Sequence, residues 1–447
     1  MSRLLRLSRL LAAGKGCGLA ERQWAKLPLA RPLTALPPFP ERPVAPPIRR
    51  HCRGGPPKVL VAGDSLRLEG APLSQWELVT ALADAGLIDP VVAASHDGPL
   101  RAAYARSGIP VHLGLPTLSG LYGGGDFSRA AQELADQWRI LGIDLVWAVT
   151  LLTAPAVEAA RLAGLPALWN PRESVAPHLA FRPFGASVAA RALACMRHPH
   201  ATVFVAEASR ALWSPFDDGR FHTIANALPP ERVAALRATG ERKAVRARLG
   251  VEDDAVLLLV PGTICARKGQ RDIAAAFRLL PPEAARRLRL VMVGDRGEEE
   301  YARRLDCDLS RLPAGVAMVM PAQLHMAPWF QAADLLALPS RSESAPRVVL
   351  EALAAGLPMV VSPVFGVAEQ LGEDDGALFC AAGDAATLAG HLAHLTVSGE
   401  MRAGMAAKAR RRFAEINDFT GMVRRYGSLL AAAACGGAKR GDETCVE

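Results

Sequence analysis

The stretch "DLLALPSRSESAPRVVLEALAAGLPMVVS", Asp334 to Ser362, holds two short apolar runs with a polar loop and a helix-like segment between them. "DLLALPS" and "LPMVVS" are apolar on consecutive positions, the pattern of strands buried on both faces. Between them "VVLEALAAG" is an apolar helical run. Gly356 followed by Leu357 and Pro358 ends it, because glycine closes a helix and proline cannot continue one. A strand, a helix and a second strand in this order make a crossover, so the two strands run parallel.

The same cycle recurs along the chain. "AVLLLVPG" (255–262), "LRLVMVG" (288–294) and "VAMVMP" (316–321) complete one series of strands, with helix candidates such as "QRDIAAAFRLL" and "HMAPWFQAA" between them. An earlier series reads "KVLVAG" (58–63), "DPVVAAS" (89–95), "IPVHLG" (109–114), "DLVWAV" (144–149), "PALWN" (166–170) and "ATVFVA" (201–206). Alternation of this kind predicts an α/β chain built from two facing doubly wound, Rossmann-like domains with a cleft between them. A length of 447 residues suits two or three domains. The polar, charge-mixed stretch from Pro229 to Gly250 marks the boundary, giving a first domain over 58–235 and a second over 236–398. A final helical segment follows over 399–432, with tails over 1–57 and 433–447.

The net charge of +8 is local. Residues 1–57 hold eleven Arg or Lys against Glu21 and Glu41, a net of +9, so the remainder is close to −1. A basic surface belonging to the domains themselves is therefore missing, which argues against a nucleic-acid partner. The start, "MSRLLRLSRLLAAGKG", spaces Arg3, Arg6 and Arg9 helically among leucines, and a proline-rich run follows. It reads as a basic membrane-surface helix, a transit-like segment or, the plainer and preferred reading, an unstructured tail. Eight scattered cysteines without a C-x-x-C pair indicate neither a zinc site nor a disulfide framework and fit a reducing cytoplasm. No apolar run is long enough to span a bilayer.

Ligand chemistry has to come from the loops. The loops after "KVLVAG" and "LRLVMVG" lack G-x-G-x-x-G, and no G-x-x-x-x-G-K-[ST] occurs, so hydride chemistry on a dinucleotide and a P-loop both lack support. "PGTICARKGQ" instead puts the adjacent cations Arg267 and Lys268 after a strand, where they neutralise a diphosphate or form a solvated pair at a helix start. Glu343 and Glu351 stand eight residues apart, roughly 12 Å if helical. That spans a sugar, a diphosphate and the edge of a ribose, with the phosphates over the helix N-terminus at Arg347 and Val348. The bland alternative is two unrelated surface glutamates. It is weakened at Glu351, whose apolar context makes an unpartnered charge costly.

In order, these motifs resemble family 4 glycosyltransferases, retaining enzymes of the GT-B fold, over roughly residues 58–430. The resemblance rests on "EGAPLSQ", "NPRES", "VAEASRAL", "IANALP", "PGTICARKGQ", "VMVGD", the E-x7-E element with "EALAAGLP", and "GVAEQL". It implies that Lys268 binds the donor diphosphate, Glu343 holds sugar hydroxyls near the anomeric centre and Glu351 binds the ribose. It also implies that Gly70 and Ala71 form a small-residue loop against the phosphate, and that residues 399–432 cross back onto the first domain. The chain departs from the family at three places. Gly262-Thr263 stands where relatives often have Gly-Arg, which moves the second cation to Arg267; the acceptor-side histidine or acid has its nearest counterpart at Arg172 and Glu173; and "ESAPR" replaces "EGFG" or "ESFG".

The expectation is a metal-independent, retaining transfer of sugar from a nucleotide-diphosphate sugar to a carbohydrate or lipid-linked acceptor. Glu343, Lys268 and Glu173 are the candidate catalytic residues, and no cofactor is expected beyond the donor itself. Asp306-Cys307-Asp308, a formal D-x-D, lies in a helical stretch and reads as a solvated face. A cytoplasmic location, with membrane contact through the basic N-terminus, is expected. A sugar-nucleotide epimerase or phosphorylase of similar shape, and a catalytically silent sugar-binding protein, are the competing readings.

Overall fold

The computed structural model describes residues 55–372 and 376–435. The expectations for residues 1–54 and 436–447 lie outside the described residues. The chain divides into two compact units. One takes in the described residues up to Arg67, Ala71–Ala225 and those from Thr420 on; the other comprises Leu68–Gly70 and Asn226–Phe419.

The first unit is a seven-stranded sheet in the order β3-β2-β1-β4-β5-β6-β7. Its strands are β1 (Lys58–Ser65), β2 (Asp89–His96), β3 (Val111–Leu113), β4 (Leu145–Val149), β5 (Ala167–Asn170), β6 (Ala201–Phe204) and β7 (Phe221–Thr223). Every pairing is parallel. β1 is followed by helix α1 (Gly70–Asp84) and β4 by α2 (Ala154–Ala163). The order reverses between β1 and β4, the switch point at which doubly wound sheets leave room beyond their strand ends.

The second unit repeats the plan with six parallel strands in the order β10-β9-β8-β11-β12-β13. These are β8 (Val256–Pro261), β9 (Leu288–Val293), β10 (Ala317–Met320), β11 (Leu335–Leu338), β12 (Met359–Val361) and β13 (Ala377–Phe379). Helices α3 (Pro230–Arg237), α4 (Gln270–Phe277), α5 (Glu299–Leu309), α6 (Arg347–Ala355), α7 (Gly366–Gln370) and α8 (Gly399–Ile416) surround the sheet. The apolar strand runs feed two cores alternately. Leu257, Leu259, Leu336, Met359 and Val361 enter one, and Val256, Leu258, Leu335, Ala337 and Val360 the other. Period-two alternation in a continuous apolar run is what a sheet covered on both faces requires. Asp334 sets the start of β11: its carboxylate accepts from the backbone N–H of Leu257 at 2.8 Å and pairs with Arg242 at 2.6 Å and Arg246 at 2.9 Å.

The units divide at Ala225–Asn226, earlier than the boundary expected at 235. Asn417 explains the difference, since its side chain accepts from Leu228 N at 2.7 Å and donates to Leu228 O at 3.0 Å, tying the chain to α8 before α3 begins. The final helices also split. α8 packs on α6 within the second unit, and only the chain from Thr420, in helix α9 (Phe419–Ala434), belongs to the first. There Tyr426 stacks on Trp147 at 5.2 Å, and its hydroxyl donates to Asn170 Oδ1 at 3.2 Å.

Candidate functional site

The loops beyond the C-terminal ends of β8 and β11 interlock. Gly262, at φ 129°, lets Lys268 cross closely above it, since a Cβ there would sit 3.4 Å from the lysine Cε. Gly269, at φ 71°, passes so near the other loop that a Cβ would lie 2.3 Å from the Pro339 carbonyl oxygen. Both positions need glycine for conformation, and Gly269 needs it for space as well. The loops are pinned by Arg341 N donating to Arg267 O at 2.8 Å and Arg267 Nη1 donating to Ser342 O at 2.9 Å. Asn226 Nδ2 donates to Ala345 O at 2.9 Å, so the "IANALP" motif fixes the loop that carries Glu343. Thr263 holds its own loop through its carbonyl, which accepts from Gln270 Nε2 at 2.9 Å.

This packing draws three predicted residues together. Glu343 is 7% exposed, and its Oε1 lies 2.6 Å from Lys268 Nζ and 3.2 Å from Arg267 Nη1. Burial alone would raise its carboxyl, but the two cations outweigh it and hold the group below the usual carboxylate range. A buried, ionised carboxylate thus shares one edge with two cations, able to accept from hydroxyls beside an anion-binding pair.

Glu351 makes a second cluster on α6. Arg347, the first residue of that helix, donates from Nε to Glu351 Oε1 at 2.9 Å, and Arg232 Nε stands 3.5 Å from the same oxygen. The apolar context makes an unpartnered charge at Glu351 costly, and two guanidiniums supply the partner. The Arg347 side chain accordingly turns to Glu351. Val348 follows it in the first turn of α6, as expected. The D-x-D reading is corrected in part. Asp306 is exposed and pairs with Arg296 at 2.9 Å, whereas Asp308 is 7% exposed and pairs with Arg271 at 2.6 Å. Among the described residues no group of three or more His, Cys, Asp or Glu is arranged to hold a metal.

Gly70, grouped with the second unit, heads α1 with open space where a Cβ would stand, and Ala71, the first residue of the helix in the first unit, is half-buried. Glu173, beyond β5, accepts from Leu151 N at 3.0 and 3.1 Å and from Arg172 N at 2.8 Å. Burial pushes its carboxyl up to about 7 despite those bonds, with Asp64 adding to the rise. Burial also lowers the neighbouring Arg172. Sequence reasoning missed the device beside them. Thr150 has φ 74° and ψ 160°, a region reached almost only by glycine, and its carbonyl accepts from Trp169 Nε1 at 2.8 Å. It also missed Arg232 and the strained Phe365.

Residues 241–412, most of the second unit, match the family model for glycosyl transferases group 1. The D-inositol 3-phosphate glycosyltransferase of Stackebrandtia nassauensis is 31% identical over 189 residues, 40% of this chain and 43% of that protein. Its counterpart in Frankia alni is 32% identical over 206 residues, 44% of this chain and 51% of that protein. The chain thus spans about half the length of the curated relatives it matches. Among solved structures, Anabaena Alr3699/HepE in complex with UDP and glucose superposes with a TM-score of 0.72 at 19% identity, covering 84% of this chain and 99% of that one. The fold is that of GT-B glycosyltransferases, two Rossmann-like units in one chain. Among the described residues no helix is long and apolar enough to cross a membrane.

Proposed function

We propose that this protein is a retaining, metal-independent family 4 glycosyltransferase that moves a sugar from a nucleotide-diphosphate sugar to an acceptor hydroxyl. The observation that carries the reading is the buried Glu343 carboxylate with Lys268 and Arg267 beyond the C-terminal ends of the second sheet's two central strands. The bond that breaks joins the anomeric carbon to the diphosphate; the bond that forms joins that carbon to the acceptor oxygen, whose proton is given up. Lys268 and Arg267 meet the charge that grows on the departing diphosphate, stabilisation aimed at the transition state that takes the place of a metal. Lys268 has three N–H donors, enough to serve phosphate and Glu343 together. Glu343 accepts from sugar hydroxyls, Glu351 holds the ribose while anchored by Arg347 and Arg232, and the backbone at Gly70, Ala71, Gly262 and Thr263 approaches the donor. Glu173, with its carboxyl near 7, acts on the acceptor side, where it holds or releases a proton at neutral pH.

The acceptor is a carbohydrate or lipid-linked sugar, the protein works in the cytoplasm, and its basic N-terminal segment contacts an anionic membrane face. UDP-sugars come first in the test because the Anabaena structure carries UDP and glucose. Nucleoside diphosphate release is followed across sugar nucleotides, with and without acceptor and with excess chelator. The expected result is acceptor-dependent release that survives the chelator, with the donor's anomeric configuration kept in the product. Turnover without acceptor or with phosphate would indicate an epimerase or phosphorylase, and binding without turnover a silent sugar-binding protein.

A further inference from the structure

We propose that Phe365 is a specificity-determining residue, an aromatic wall that sorts donor sugars at the Glu343 site; the inference rests on the reading of that site as a nucleotide-sugar pocket.

The observation is a turn built on the wrong residue. Val367 N donates to Val364 O at 3.0 Å, closing four residues, and Phe365 has φ 44° and ψ −122°. Those angles match the first central position of a type II′ turn, where glycine is the rule. The chain does supply a glycine, Gly366, but one place too late. Strain of this sort persists only where something else benefits from it. Core packing is not the beneficiary. Val367 belongs to one hydrophobic cluster of the second unit and the half-buried Val364 packs against it, whereas Phe365 is half-buried and joins neither that cluster nor the one on the sheet's other face.

Its place in the fold supplies the benefit. Leu338 pairs with Val361 at the ends of β11 and β12, and Ser362 N donates to Leu338 O at 3.0 Å. The turn bearing Phe365 and the loop bearing Glu343 therefore leave the same end of adjacent strands. A ring at that end of the sheet offers a flat apolar surface on the same side as a carboxylate that takes hydroxyls, and a sugar presents both features, C–H bonds on one face and hydroxyls at its rim. Such a wall favours a sugar whose C–H face is flat and disfavours the epimer that carries an axial hydroxyl on that face.

Phe365→Gly separates this role from a structural one, because glycine relieves the turn while removing the ring. Melting temperature, affinity for free UDP, and kcat/KM for UDP-glucose and UDP-galactose are compared with the parent, and Phe365→Trp is run alongside. The expected result for Phe365→Gly is a higher melting temperature, a UDP affinity within threefold, and at least a tenfold loss in the ratio of kcat/KM between the two epimers. Phe365→Trp keeps the ratio. A lower melting temperature for Phe365→Gly, or an epimer ratio within twofold of the parent, overturns the proposal while leaving the site reading intact. A parent protein that binds no nucleoside diphosphate overturns both.

Discussion

Replacing Lys268 by alanine should unsettle the second unit before any ligand is considered. Glu343 is 7% exposed, and Lys268, at 2.6 Å, is its nearest cation. Removing one partner of a buried pair costs about 3–5 kcal/mol, because the remaining charge is left desolvated. Arg267 stays at 3.2 Å but is 47% exposed and compensates only in part, so about 3 kcal/mol is the expected loss. In a unit of this size that lowers the melting temperature by roughly 6–12 °C. The effect depends on pH with a definite sign. The Glu343 carboxyl is depressed in the folded parent, so its contribution is present above the unfolded carboxylate value and lost as pH falls through the depressed one. The gap between Lys268→Ala and the parent should therefore narrow as pH drops toward that range. Calorimetric melts of the parent, Lys268→Ala, Glu343→Gln and the double variant make the assay. Coupling of at least about 1.5 kcal/mol is expected, with the double variant more stable than the sum of the singles allows. Additivity within about 0.5 kcal/mol would refute the argument that the pair is one buried unit.

Further outcomes follow from other contacts. Glu351→Ala should weaken binding of free nucleoside diphosphate and intact donor alike by about 1.5–3 kcal/mol, as for hydrogen bonds to a charged group; calorimetric titration on the folded variant measures it. The raised Glu173 carboxyl makes the first unit lose stability as pH climbs from the unfolded carboxylate value through about 7, a loss of about 3 kcal/mol that thermal melts should show in the parent and not in Glu173→Gln. Excess chelator should leave turnover unchanged; an absolute divalent requirement would return attention to Asp306 and Asp308. Deleting residues 1–54 should leave folding and donor binding intact, because β1 begins at Lys58, while lowering any binding to anionic vesicles; an insoluble product would show that the segment belongs to the core.

Eleven of the thirteen strands were legible, most because they are apolar runs buried on both faces, and the edge strands β3 and β10 because the apolar residues around them extend the run. The other two, Phe221–Thr223 and Ala377–Phe379, are three residues long at sheet edges and lie among polar or glycine-containing stretches, "DDGRFHTIAN" and "EDDGALFCAAGD", that give no extended apolar run. Lys268 and Glu343 were legible because an acid after one strand and adjacent cations after another are unusual in loops so close to apolar runs. The partners of Glu351 were not. Arg347 lies in view four residues away, but Arg232 arrives from far back along the chain through α3, which packs on α6. The strained turns at Thr150 and Phe365 could not be read, because both residue types argue against a positive φ and only surrounding contacts impose it.

The most direct test of the central claim sets donor turnover by Glu343→Gln beside its affinity for free nucleoside diphosphate. If Glu343 acts on the sugar and Lys268 on the diphosphate, kcat should fall by at least about a hundredfold while nucleoside diphosphate affinity changes less than about threefold, the mark of an interaction made chiefly in the transition state. A folded Glu343→Gln protein that turns over donor like its parent would contradict the account, and the acid before the helix would be no more than a partner that keeps two cations in place.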